Sequence, residues 1–236
     1  MSNEPKPKRT QEERNKRWNE AAIARMDKIM PGLYLGNVRS SCKRSMLEEN
    51  RINAIVSLTD ARWVWWNGPT RNAGVPEHRH KWVQCADSST QDLLVYMAGI
   101  CDFIDAVASP VLLSGGLSGE ERVECEGGDA DASGAVLVHC DLGISRSPTV
   151  IIAYLMRKYG LKREDALGLV RSKRKVKPSA NMTRQLVVWE QVGYQIWEDE
   201  EGTVPKAPYR AFLDDRAALL KARGLTGNEP LAPLSL

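Results

Sequence analysis

The chain has 236 residues, of which 42% are hydrophobic and 27% charged, and its formal net charge is +3. That is enough for one ordinary domain with tails, or at most two small domains, with the composition of a soluble globular protein. No apolar run approaches a membrane span, the charge is too mild to demand a nucleic-acid partner, and the polar, acid-bearing start "MSNEPKPKRTQEERNKRW" is no secretory signal. A cytoplasmic or nuclear setting is expected. The five cysteines (Cys42, Cys85, Cys101, Cys125 and Cys140) are odd in number, scattered and without a CxxC pair. They argue against a disulfide framework and a zinc cage, and no metal or other cofactor is expected.

In chain order, residues 1–12 read as a mixed-charge tail, and Thr10 to Met26 carries Trp18, Ala21, Ala22 and Arg25 at helical spacing. "IMPGLYLGNV" (Ile29 to Val38) predicts a short strand or hairpin. "SSCKRSMLEENRI" predicts a short helix with Ser41 as N-cap. "NAIVSLT" (Asn53 to Thr59) predicts a buried strand, and the Gly, Pro and Asn of residues 60–80 a loop. "KWVQC" (Lys81 to Cys85) is a second strand, "ADSSTQD" a turn, and "LLVYMAGICDFIDAVA" a helix with Leu94, Met97, Ile100, Ile104 and Val107 on one face. Residues 109–134, rich in Gly, Ser and acids, predict a flexible surface insertion.

"AVLVH" (Ala135 to His139) is the third strand. "SPTVIIAYLMRKYG" is a helix with Pro148 in its first turn and Gly160 as its stop. Two more helices follow, "REDALGLVRSKR" and "ANMTRQLVVWEQVGYQIW", and then a polar stretch with a weak helix, "RAFLDDRAALLKA". The organisation expected is a tail over 1–28, a domain over 29–197 and a C-terminal extension over 198–236. Strands alternating with helices predict an α/β fold, a central and mainly parallel sheet flanked by helices. Ligands of such sheets bind in loops at the carboxyl ends of strands. The loops after "KWVQC" and "AVLVH" qualify.

The second of these holds the chemistry. In "VLVHCDLGISRSPT" a strand ends at Cys140 and a helix opens near Arg146, with five residues between. Gly143 lets so short a loop turn, and its successive N–H groups can point inward as an anion nest. The following helix adds free N–H groups and the positive end of its dipole, and Arg146 adds a planar fork matched to phosphate oxygens. All these parts suit a phosphate-like dianion. The same surroundings favour a thiolate at Cys140. Complete ionisation gains only roughly 30-fold over a free thiol, and a positioned general acid about 10²–10⁴-fold. Hydrolysis of a phosphate ester needs far more, so the loop N–H groups and Arg146 must carry the larger share by stabilising the in-line transition state. An alkoxide leaving group needs a proton. Asp87, in the other candidate loop, is the preferred donor; its competitor Asp92 occupies a position where acids commonly serve the helix dipole.

"HCDLGISRS" resembles the HCxxGxxRS/T signature of the cysteine-based protein tyrosine phosphatases, and "GISRSPT" followed by "AYLM" resembles the dual-specificity branch. "PGLYLGN", "INAIVSLTD", "VQCADSS", "DFID" and "RQLVVWEQ" stand in that family's order, over roughly Ile29 to Trp197. The resemblance implies Cys140 as nucleophile, Arg146 as phosphate clamp, His139 as orienter of the cysteine loop and Ser147 as an aid to hydrolysis of the cysteinyl-phosphate. It implies Asp87 as general acid and then base, and Asp141, Leu142, Gly143, Ile144, Ser145 and Arg146 as the phosphate-binding loop. The activity implied is metal-independent hydrolysis of phosphotyrosine and phosphoserine or phosphothreonine in protein substrates. Asp141, in a loop without lysine, speaks against an inositide. "VVWEQVGYQI" with "APYRAF" further resembles the segment after the catalytic domain in members that end in a zinc-binding module. No cysteine follows Cys140, so that zinc is not carried over.

Other features have two readings. Cys85 is either a thiol that resolves oxidised Cys140 or, preferred here, a small strand hydrophobe. "WVWW" (Trp63 to Trp66) is an exposed platform or a loop clamp. "RSKRKVKP" (Arg171 to Pro178) is an import or substrate patch or, preferred, a solvated helix end. His78 and His80 form an HxH pair with no third ligand in sight. For the whole chain the rivals are a phosphoprotein-binding or assembly factor on the same fold, and a phosphatase of non-protein esters.

Overall fold

The computed structural model describes residues 10, 23–60, 73–107 and 134–227. The expected N-terminal helix before Ile23, the "WVWW" stretch, the insertion up to residue 133 and residues 228–236 lie outside them.

Among the described residues, five strands form one sheet in the order β1-β2-β5-β3-β4: β1 Met26–Met30, β2 Leu33–Asn37, β3 Ile52–Thr59, β4 His80–Gln84 and β5 Ala135–Cys140. β1 and β2 make the antiparallel hairpin expected from "IMPGLYLGNV"; every other neighbour pair is parallel. β5 is central and buried along its whole length, because parallel strands are covered on both faces. Its alternation divides the core. Val136, Val138 and Cys140 face the larger layer with Val56, Leu58 and Leu35; Leu137 faces a smaller one with Ile55, Leu47 and Val75.

Two short helices, α1 Val38–Ser41 and α2 Arg44–Glu49, join β2 to β3. The expected cap Ser41 instead ends α1, its hydroxyl donating to the Val38 carbonyl at 2.8 Å. Asn37 is the cap, accepting from Ser40 N at 3.1 Å, because the chain turns into a helix directly off the strand end. The larger layer is built from α3 Leu94–Val107, α4 Arg146–Tyr159, α5 Arg163–Lys173, α6 Ala180–Gln191 and α7 Ala207–Ala222. α4 is buried from Arg146 to Met156, packed on the sheet and enclosed by α3, α5 and α6. It stops at Gly160, in the left-handed region at φ +65°, as the sequence predicts.

Two helices depart from expectation. α6 ends at Gln191, short of the predicted Trp197: Gly193 and Tyr194 turn left-handed, and Tyr194 N–H returns to the Trp189 carbonyl at 3.1 Å. The segment read as a weak helix is the 16-residue α7. Its Tyr209 and Phe212 are buried in the main core, and that tertiary burial supplies what local propensity lacks.

Trp189 is fully buried at the junction of α4 and α6, its indole N–H donating to the Ala153 carbonyl at 3.2 Å. Trp189→Ala is expected to lower the free energy of unfolding by about 3–5 kcal/mol, read from the shift in a urea midpoint at unchanged slope.

Candidate active site

The residues after β5 curl into a loop whose four consecutive carbonyls all point outward. The Asp141 carbonyl accepts from Val38 N–H at 3.2 Å and the Leu142 carbonyl from Arg174 Nη2 at 3.1 Å. The Gly143 carbonyl accepts from Arg174 Nε at 3.1 Å and the Ile144 carbonyl from Lys177 N–H at 2.9 Å. Every described peptide bond is trans. In a trans peptide the next residue's N–H opposes the carbonyl. The N–H groups of Leu142, Gly143, Ile144 and Ser145 therefore turn to the loop's inside. Gly143 N–H indeed reaches Cys140 Sγ at 3.3 Å. Gly143 sits at φ +68°, and a Cβ there would lie 2.5 Å from the Gly36 carbonyl oxygen, so glycine is required twice over.

Cys140 is 2% exposed and also receives the Ser147 hydroxyl at 3.2 Å. Two donors are thus aimed at the sulfur. Arg146 and Ser147 occupy the first turn of α4. The Arg146 guanidinium is held from three sides: Nη1 by Asp60 at 2.6 Å and by the Cys85 carbonyl at 2.7 Å, Nη2 by Asp141. Burial opposes its charge, but the neighbouring Cys140 and Asp141 outweigh that and raise its pKa. Burial raises the Asp60 pKa, with Arg146 opposing. Arg146 Nε is buried and has no hydrogen-bond partner among the described residues, a donor suited to an oxyanion.

Asp87 stands on the exposed loop between β4 and α3 and accepts from the Ser145 hydroxyl at 3.0 Å, which brings it to the rim of the cysteine loop. Both Asp92 oxygens are engaged elsewhere, with Leu94 N–H at 2.9 Å and Tyr209 OH at 2.8 Å. Altogether a buried sulfur, a ring of N–H groups, a fixed guanidinium and a carboxyl at the mouth are arranged to bind a tetrahedral dianion and attack it in line.

The comparisons with known proteins agree. The family model described as "Dual specificity phosphatase, catalytic domain" matches residues 127–192. The tyrosine-protein phosphatase yvh1 of Schizosaccharomyces pombe is 35% identical over 143 residues, 60% of this chain and 35% of that protein. The dual specificity protein phosphatase 1 of Arabidopsis thaliana is 31% identical over 159 residues, 67% of this chain and 65% of that one. Among solved structures, the Yvh1 phosphatase domain from Chaetomium thermophilum superposes with a TM-score of 0.55 at 29% identity, covering 72% of this chain and 97% of that domain. The chain belongs to the dual-specificity phosphatases of the cysteine-based protein tyrosine phosphatase superfamily.

Several residues of the candidate site in this dual-specificity phosphatase family member escape sequence reading. Asp60 meets Arg146 across 86 positions of chain, an ion pair that only the sheet's parallel pairing brings about. Arg174 belongs to the basic run read as solvated. Lys173 and Lys175 are exposed as expected, but the Arg174 side chain is 9% exposed, tied to Asp27 on β1 at 2.6 Å while it holds two loop carbonyls. Only its place just past the end of α5, within reach of the loop, marks it out from its neighbours. Cys85 is buried in the core, and burial pushes its thiol to about 12. His80 lies 3.0 Å from the Ser57 hydroxyl, and no group of three or more His, Cys, Asp or Glu among the described residues is arranged to hold a metal.

His139 is fully buried, and desolvation pushes its pKa down to about 3. A neutral ring fits its partners: Nε2 accepts from Ser57 Oγ at 2.9 Å, and Nδ1–H faces the Cys140 carbonyl at 3.4 Å.

Two outcomes are expected. Arg174→Met frees two peptide planes of the loop and weakens inorganic phosphate binding about tenfold by calorimetry, with Arg174→Lys recovering part of it. Unfolding releases His139 to take up a proton that the folded state refuses. Stability therefore rises with pH between about 3 and 6.5, and His139→Asn should flatten that slope in denaturant titrations run across the window.

Proposed function

We propose that this protein is a metal-independent protein phosphatase that hydrolyses phosphotyrosine and phosphoserine or phosphothreonine through a cysteinyl-phosphate. The observation that carries the reading is the cysteine loop with four carbonyls bound outward and its N–H groups around Cys140. Such a ring is pre-organised for the equatorial oxygens of a transferring phosphoryl group. Phosphorylated proteins are the substrate class that the family relationship supports. A reducing setting, cytoplasmic or nuclear, suits a mechanism that depends on a free thiol, and no described helix is long and apolar enough to cross a membrane.

In the first step the Cys140 thiolate donates its electron pair to phosphorus as the ester P–O bond breaks. Asp87, entering as the carboxylic acid, gives its proton to the departing oxygen. In the second step Asp87, now a carboxylate, takes a proton from water as the water oxygen bonds to phosphorus and the P–S bond breaks. The Ser147 hydroxyl, 3.2 Å from Sγ, stabilises the thiolate that leaves. Arg146, held by Asp60 and Asp141, offers Nε to the phosphoryl oxygens throughout. His139 holds the carbonyl of Cys140 and with it the entrance of the loop.

The test is turnover of phosphotyrosine and phosphothreonine peptides by the purified chain, in reductant and chelator. Cys140→Ser should abolish turnover while still binding phosphopeptide. Asp87→Asn should lower kcat/KM for alkyl phosphates by about 10²–10⁴-fold and for esters of acidic phenols far less. Absence of wild-type turnover with phosphopeptide binding intact would establish the binding-module reading instead.

A further inference from the structure

We infer that α7, which lies beyond the residues matched by the family model, is a positioning element for the Asp87 loop, acting through Arg216 and Tyr209. The inference rests on the reading of Asp87 as the proton donor.

The loop from Cys85 to Leu93 connects β4 to α3, and its backbone is held from outside. Asn181 on α6 donates to the Ser88 carbonyl at 2.9 Å and the Gln91 carbonyl at 2.8 Å. Gln185, one turn on, donates to the Gln91 carbonyl at 2.9 Å and accepts from Leu93 N–H at 2.6 Å and Leu94 N–H at 3.2 Å. These contacts hold the loop one residue after Asp87, at Ser88, and again at its base, from Gln91 to Leu94. α7 holds the stretch between those two points. Arg216 Nε donates to the Thr90 carbonyl at 2.6 Å, and Tyr209 OH donates to Asp92 Oδ2 at 2.8 Å. They lie three and five residues after Asp87, at Thr90, which no α6 hydrogen bond among the described residues reaches, and at Asp92, and so add to the hold on the stretch that carries its carboxyl to Ser145.

α7 is itself firmly seated. Tyr209 is 1% exposed, stands edge-on to Trp197 at 5.5 Å and stacks on Phe212 at 6.3 Å. Arg184 on α6 lies over the Phe212 ring at 5.2 Å and pairs with Asp215. A helix so anchored is a rigid support for the two polar contacts it extends to the loop. A general acid contributes only while its proton lies on the line to the leaving oxygen, and a displacement of about 1 Å costs on the order of 10² in rate. α7 therefore acts on the proton transfers of Asp87, of which only protonation of the leaving group depends on the ester and falls within kcat/KM.

The test compares two small esters, phenyl phosphate, whose leaving group needs a proton, and 2,4-dinitrophenyl phosphate, whose leaving group does not. The full-length chain is used as wild type, Arg216→Met, Tyr209→Phe and Asp87→Asn, with thermal unfolding to confirm that each variant is folded. Arg216→Met should lower kcat/KM, which excludes the shared hydrolysis of the cysteinyl-phosphate, by about tenfold or more on phenyl phosphate and by less than about twofold on the dinitrophenyl ester. Arg216→Lys should restore part of the loss, Tyr209→Phe should act in the same sense, and Arg216→Met should add nothing in the Asp87→Asn background. Equal losses on both esters would make α7 a mere contributor to stability and overturn the inference, as would no loss in either variant. If Asp87→Asn separates the two esters and the α7 variants do not, the inference fails while the phosphatase reading stands. If Asp87→Asn fails to separate them, the role of Asp87 fails and the inference with it.

Discussion

The site depends on the orientation of four peptide planes. A backbone N–H is a strong donor, but it serves an anion only if its own carbonyl is satisfied on the far side. The four carbonyls after Cys140 are satisfied by Val38 N–H from the end of β2, two nitrogens of Arg174 beyond α5, and Lys177 N–H from the approach to α6. Three separate parts of the fold thus hold one loop inside out. Without this support the peptide planes would rotate to turn their carbonyls and N–H groups to water, and the nest would collapse.

The charges follow the same logic. Arg146 attracts any dianion held beside the sulfur, but a guanidinium in a buried setting needs partners to stay fixed. Asp60 and Asp141 supply them. Two carboxylates beside one arginine lower the positive potential of the site. They also hold the fork still, and a still fork needs no reorganisation as the phosphoryl group transfers. Asp141 is accordingly a clamp on Arg146 as well as a member of the loop.

The two loops of the candidate site are supported differently. The cysteine loop is bound by backbone groups and one arginine close to the sheet. The Asp87 loop hangs from side chains of α6 and α7, and Asp87 itself touches the cysteine loop through Ser145, whose hydroxyl also accepts from Ser179 N–H at 3.1 Å. The residues after Trp197 thereby join the catalytic domain in space, through Tyr209 and Arg216, although the polar stretch before them reads as a boundary.

Local signals were enough for much of this. The strand, tight loop and helix around Cys140 and Arg146 are written in fourteen adjacent residues, because apolar run, glycine, cysteine, arginine and N-terminal proline each have a local physical meaning. The same holds for the hairpin at Pro31–Gly32, the stop at Gly160 and the mainly parallel order of strands. Helix ends set by tertiary contacts were not legible: Ser41 offered an equally good cap, and the turn at Gly193 was hidden in an apolar run. Nor could the sequence tell Arg174 from the lysines beside it, or pair Asp60 with Arg146, Gln185 with Leu93 and Tyr209 with Asp92. Each of those bonds joins residues dozens of positions apart, and a single strand of letters carries no distance. Sequence determined which groups could do the chemistry; packing decided which way they face and what holds them there.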